Sequence, residues 1–212
     1  MKNILRDNGL TIVLVSMFLG SLLGMVLTGQ AHFNSNRLEH GLREIGLLDY
    51  VQSGEFGSAL LENWESEFLQ MAVYVVLTAV LFQRGSAESR DPDHPDRLKD
   101  NIPRGLPESR SWLSWIYSHS LGLALVLLFA GSFILHWLMS YIQANEEAQI
   151  HGAPAITLLE QLSGTTLWFQ SFQNWQSEFM STAVLVVLSI FLRQRNSPES
   201  KPVAAANSET GA

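Results

Sequence analysis

Asn63-Trp64-Glu65-Ser66-Glu67-Phe68, followed by an apolar run to Gln83-Arg84, decides the fold because the chain contains it twice. The second copy reads Asn174-Trp175-Gln176-Ser177-Glu178-Phe179 and runs on to Gln194-Arg195. Between residues 63–89 and 174–200, 16 of 27 positions are identical and no gap is needed. The same offset holds upstream. Leu10, Leu14, Val15, Phe18, Gly20 and Ser21 match Leu121, Leu125, Val126, Phe129, Gly131 and Ser132. The pattern predicts a two-helix unit present in tandem.

The apolar segments set the class. Residues 10–29 carry no charge, and a helix of that length spans about 30 Å, the thickness of bilayer hydrocarbon. Residues 121–139 are similar, with one His. The runs Phe68 to Phe82 and Phe179 to Leu192 are shorter. They reach spanning length if the Asn-Trp-x-Ser-Glu lead-in joins the helix. Backbone groups in lipid must be bonded internally, which favours helices. The expected fold is an all-α membrane protein with four transmembrane helices, at about 10–29, 64–83, 118–139 and 175–194. They form two tandem parallel two-helix repeats, residues 1–89 and 112–200, with short interfacial helices in the outer loops. A polar linker, 90–111, and a disordered tail, 201–212, complete the chain.

Of the 13 Lys and Arg, 11 lie before the first segment, between the second and third, or after the fourth; only Arg37 and Arg43 lie elsewhere. The positive-inside rule then places both termini and the linker in the cytoplasm. The outer loops sum to a strongly acidic face, which attracts cations or is simply solvated. The apolar N-terminal run has the form of a signal peptide, but its counterpart in the second half favours a retained helix. The chain has no Cys, which excludes disulfides and thiolate chemistry. It has no phosphate loop, nucleophile elbow or basic nucleic-acid patch. No cofactor and no nucleic-acid partner is expected.

The loops carry their own signals. Asn34, His40 and Gly41 recur as Asn145, His151 and Gly152. Leu38, Leu42 and Ile45 predict a short amphipathic helix, and Thr157 with Glu160 predicts a capping box. Asn63 is a natural N-cap for the second segment. Trp64, Trp175, Trp137 and Trp168 suit an outer aromatic belt, and Trp112, Trp115 and Tyr117 an inner one. Arg84 and Arg195 would close the second and fourth helices. Gly20, Gly24 and Thr28 form a small-residue stripe suited to close packing with a second copy or a membrane partner.

Glu67 and Glu178 are the leading candidates for chemistry. An ionisable group at bilayer depth is a functional hypothesis by default; a helix-end anchor favoured by the dipole is the plainer alternative. A polar seam continues from them through Gln70, Tyr74 and Thr78 in one copy and Ser181 and Ser189 in the other, with Leu185 interrupting it. Such groups form an ion or proton path, or serve as packing glue between helices. His40 and His151 are weak metal candidates, since no Cys or local His pair supports them. His119 and His136 lie about 25 Å apart along one helix and do not share a ligand.

At the repeated Asn-Trp-x-Ser-Glu-Phe and the following Gln-Arg-x-Ser-x-Glu-Ser (83–89 and 194–200), the sequence resembles an uncharacterised family of bacterial integral membrane proteins, a domain of unknown function. The resemblance implies a multi-pass protein of the bacterial cell (inner) membrane and carries no activity. The residues themselves leave three readings. The first is a non-enzymatic packing or partner-binding module whose partners are the lipid bilayer and a second copy or membrane protein. The second is a cation- or proton-handling transporter or channel, and the third a metal-dependent membrane enzyme.

Overall fold

The computed structural model describes residues 4–97, 100 and 111–211, and every regular element among them is an α-helix. In order these are α1 (Ile4–Glu39), α2 (Leu47–Val51), α3 (Gly54–Val80), α4 (Ser111–Ser118), α5 (Ser120–Ile150), α6 (Leu158–Ser163) and α7 (Thr165–Phe191). Two of them, α1 and α5, are long and apolar enough to cross a membrane, with mean hydropathies of 2.4 and 2.2 over their most apolar windows. The helices α3 and α7 have 27 residues each, but polar side chains such as Glu62, Asn63, Gln173 and Asn174 occupy their first halves. Most of linker 90–111 lies outside the described residues.

The chain divides into two compact units, Met1–Leu60 with His136–Ser163, and Leu61–Leu135 with Gly164–Ala212. In the first, α1 is kinked at Asn8 (φ −128°, ψ 15°) and ends at Glu39, two residues before Gly41, whose φ of +71° is the left-handed conformation glycine tolerates. The chain then returns along the helix. The Ile45 N–H donates to Asn34 Oδ1 at 2.9 Å, and Asn34 Nδ2 donates to the Ile45 carbonyl at 3.1 Å. The end of α5 is built the same way. Gly152 has a φ of +64°, and Asn145 bridges Ile156 with bonds of 2.9 and 3.3 Å. This bridge changes the expected loop helix. Leu38 belongs to the last turn of α1, residues 42–46 are non-helical, and the short helix is α2, starting at Leu47. An amide side chain satisfying both backbone groups of Ile45 removes them from any helical ladder.

Tyr50 of α2 is buried, with its ring 5.7 Å from Phe33 and 5.5 Å from Phe56. The first turns of α3 approach α5 so closely that a Cβ on Gly57 would lie 2.7 Å from Met139. The Thr157 capping box forms as the sequence indicates. Thr157 N–H donates to Glu160 Oε2 at 2.6 Å, and Glu160 N–H donates to Thr157 Oγ1 at 3.3 Å. Trp137 Nε1 donates to the Leu158 carbonyl at 3.0 Å, so this tryptophan ties α5 to α6.

In the second unit, Phe129, Phe133, Trp168, Phe172 and Trp175 form a chain of ring contacts with centroids 5.3 to 6.5 Å apart. Beside it Leu167 is fully buried. Trp112 and Trp115 lie on the short helix α4 and are exposed, and Trp115 stacks on His119, where α4 gives way to α5.

Two expectations change in this unit. Asn63 does not cap a helix: α3 starts nine residues earlier, and the Asn63 carbonyl accepts from Ser66 inside the helix. The helices end at Val80 and Phe191, so neither Arg84 nor Arg195 closes one; Arg84 instead pairs with Asp93 at 2.7 Å. Residues 201–211, expected as a disordered tail, contain turns and no helix or strand. Lys201 is buried, and its ammonium donates to the carbonyls of Ala206, Asn207 and Glu209 at 3.1, 3.1 and 2.9 Å. Small residues let the backbone itself curl into an acceptor cage, which periodicity-based reading does not register.

Candidate functional site

The leading carboxylates occupy unexpected positions. Glu67 and Glu178 are each the fourteenth residue of a 27-residue helix, counted from Gly54 and Thr165. The helix dipole acts only over the first and last turns, so it does not account for them. Glu67 is exposed and Glu178 half-buried. Within the second unit the Glu67 charge acts on Glu178.

The buried acid of the motif is Glu65. It is fully buried, and its Oε1 accepts the indole N–H of Trp175 at 2.9 Å. Asn174 Nδ2 donates to the neighbouring Glu62. Gln176, which stands where the second copy departs from Glu65, is exposed and bonded only within its own helix, to the Gln173 carbonyl at 3.0 Å. The signal for Glu65 lay in the sequence as that departure.

The seam is shorter than its spacing implies. Gln70 Nε2 donates to Thr182 Oγ1 at 2.5 Å, linking α3 to α7. Thr182 thus takes the place expected of Ser181, whose hydroxyl donates to the Glu178 carbonyl of its own helix. Thr78 likewise turns back to the Tyr74 and Val75 carbonyls. Ser189 pairs with Ser86 at 2.8 Å in a buried hydroxyl contact. Tyr74 donates its hydroxyl to Glu88 Oε2 at 2.8 Å.

Glu88 sits in the turn that follows α3. There Gln83 N–H donates to Ser89 Oγ at 2.8 Å and Glu88 N–H to Ser86 Oγ at 3.1 Å. The turn after α7 has the matching bonds, Gln194 to Ser200 at 2.8 Å and Glu199 to Ser197 at 3.2 Å. Gly85 and Asn196 both take positive φ, 84° and 68°, which asparagine tolerates better than most side chains. Glu199 lies against Glu88. Burial, then the Glu199 charge, pushes the Glu88 carboxyl above its ordinary range, while the Tyr74 hydroxyl works the other way. Glu88 and Glu199 are residues the sequence reading passed over, although both stand in the repeated Gln-Arg-x-Ser-x-Glu-Ser. Beside them a cavity of about 410 Å³ runs between α3 and α7, lined by Gln70, Tyr74, Phe82, Glu88, Phe179 and Val186 among others.

The first unit holds a second cavity, of about 470 Å³, whose walls include Arg37, Asp49, Glu55, Glu146 and Glu147. Its acids lie beyond the apolar segments 64–83 and 118–139. Burial and then Glu147 push the Glu55 carboxyl up, and burial likewise raises Glu146. Gln143 Nε2 donates to Glu55 Oε2 at 2.6 Å, and the Gly54 N–H to Glu146 Oε2 at 3.2 Å. In this unit His40 and His151 meet edge to face, with ring centroids 5.2 Å apart. Among the described residues no three His, Asp or Glu side chains converge to hold a metal ion. The two histidines are therefore a ring contact without further ligands beside them.

A family described as a domain of unknown function (DUF6766) matches residues 1–212. The chain belongs to that family. No curated protein and no solved structure matches the chain. Membership in DUF6766 agrees with the resemblance carried by the repeated motif and supplies no activity to test against the geometry.

Proposed function

We propose that this protein is a non-enzymatic module of the bacterial inner membrane that works by packing against a second copy or a membrane partner. In this reading α1, α3, α5 and α7 cross the bilayer as two tandem parallel pairs, with both termini and the central linker in the cytoplasm. The observation that carries it is the state of α1: none of its most apolar window is buried. A Cβ on Gly20 or Gly24 would meet nothing within 4 Å, leaving a small-residue face open for another helix. The matched Asn34 and Asn145 bridges and the matched serine turns support a duplicated architecture.

The chain has no cysteine, so single introduced cysteines report cleanly. Gly24→Cys in native membranes should give a disulfide-linked species under mild oxidation, and Asp91→Cys should resist an impermeant maleimide in intact cells. A monomer that crosslinks to nothing, or a residue 91 labelled from outside, removes the reading.

A second reading, cation or proton handling centred on Glu67 and Glu178, is favoured by one observation: both carboxylates stand at the midpoints of their helices. Ion or proton flux in proteoliposomes that is unchanged by Glu67→Gln with Glu178→Gln ends it.

A further inference from the structure

The cavity between α3 and α7 combines apolar walls with a carboxylate. Most of its lining is apolar, including Val73, Leu77, Phe179 and Val186, yet Glu88 is part of the same wall. We propose that it binds a lipophilic organic cation, with the apolar body against α3 and α7 and the charge held by Glu88. The inference goes beyond the packing role and does not depend on which helices span the bilayer.

The volume, about 410 Å³, suits a small organic molecule. Charge selects among such molecules. Glu88 and Glu199 lie side by side, and among the described residues no Lys or Arg forms an ion pair with either. Two adjacent carboxylates repel until a proton or a cation joins them. The nearby guanidinium of Arg90 is occupied elsewhere: it donates to the Pro95 carbonyl at 3.2 Å and to Ala79, and lies 5.1 Å from the Phe82 ring. The Tyr74 hydroxyl fixes the Glu88 carboxylate through Oε2.

A neutral apolar ligand would leave these charges unmatched, and an anion would be repelled. A hydrated metal ion would gain nothing from the valine and phenylalanine walls. The aromatic rings of Tyr74 and Phe179 add faces to which organic cations are attracted. Glu88 retains its proton more firmly than an ordinary carboxyl, so an arriving cation must displace that proton. Affinity should therefore fall as the pH is lowered.

The test is equilibrium dialysis of tetraphenylphosphonium against the full chain in detergent micelles, with empty micelles as the blank. We expect saturable binding at pH 8, weakened severalfold at pH 5. It should be weakened by about tenfold in Glu88→Gln, which removes a charged contact. Val186→Trp fills the cavity while leaving the carboxylates intact, and should abolish binding. Tetraphenylborate, the same shape with the opposite charge, should not saturate. Absence of saturable binding, equal affinity in Glu88→Gln, or equal binding of tetraphenylborate overturns the proposal. Circular dichroism checks that both variants keep their helices; if Val186→Trp does not fold, Glu88→Gln and the borate control decide.

Discussion

The two copies of Asn-Trp-x-Ser-Glu-Phe differ at one position, and there the first copy is buried and the second exposed. Glu65 is fully buried and receives the Trp175 indole, whereas Gln176 is exposed and bonded only to its own helix. The residues the copies share are used less symmetrically than their identity suggests: Glu67 is exposed and Glu178 half-buried. A duplicated motif therefore tells where two helices began alike. The burial of Glu65 and Ser66 against the exposure of Gln176 and Ser177 tells which copy was drawn into the interior.

The sharpest way to break this comparison is to truncate both members of the pair. Glu65→Ala removes a buried side chain and strands the Trp175 N–H, and should cost about 2–4 kcal/mol. Gln176→Ala should stay within about 0.5 kcal/mol, as surface changes usually do. Thermal unfolding in one detergent measures both, and equal losses would erase the distinction.

The loops make the opposite case, since there the copies agree. Asn34→Ala and Asn145→Ala each delete both bonds of an amide bridge, and each should cost about 1–3 kcal/mol. Matched losses would sharpen the contrast with residues 65 and 176. A loss confined to one loop would show that matched geometry hides unequal energetics.

The smallest effect concerns pH. The Glu88 carboxyl is raised in the folded chain relative to its ordinary value. As pH rises past the unfolded value, the unfolded chain releases this proton first, so folding stability falls until the folded group also ionises. Glu88→Gln removes that loss. Its thermal midpoint should decline less than the parent's between pH 4.5 and 7, and identical pH profiles would remove Glu88 from the account.

Much of the fold could be read from residue order. The charge-free run at 10–29 and its counterpart at 121–139 announce α1 and α5, and Thr157 with Glu160 announces the start of α6. The start of α3 was hidden because Asn63 is as good a cap as any residue near it. The helix begins earlier, at Gly54, where the absence of side chains on Gly54 and Gly57 lets its first turns lie close against α5. Glu67 and Glu178 were legible as a matched pair, but their place at mid-helix followed from that shifted start. Glu88 and Glu199 stand in plain sight in a repeat, yet a polar turn gives no sign that its acids lie together; that depends on contacts across 111 positions of sequence. The amide and hydroxyl partners, Thr182 in place of Ser181, depend on helix rotation, which spacing fixes only to within a residue.

The Lys201 cage has a practical consequence. Its three acceptors are main-chain carbonyls from residues 206 to 209, so no side-chain substitution there deletes them. Removal of residues 206–209 would. Without them the Lys201 ammonium loses all three oxygens at once, so a stretch with neither helix nor strand is part of what holds this cation in place.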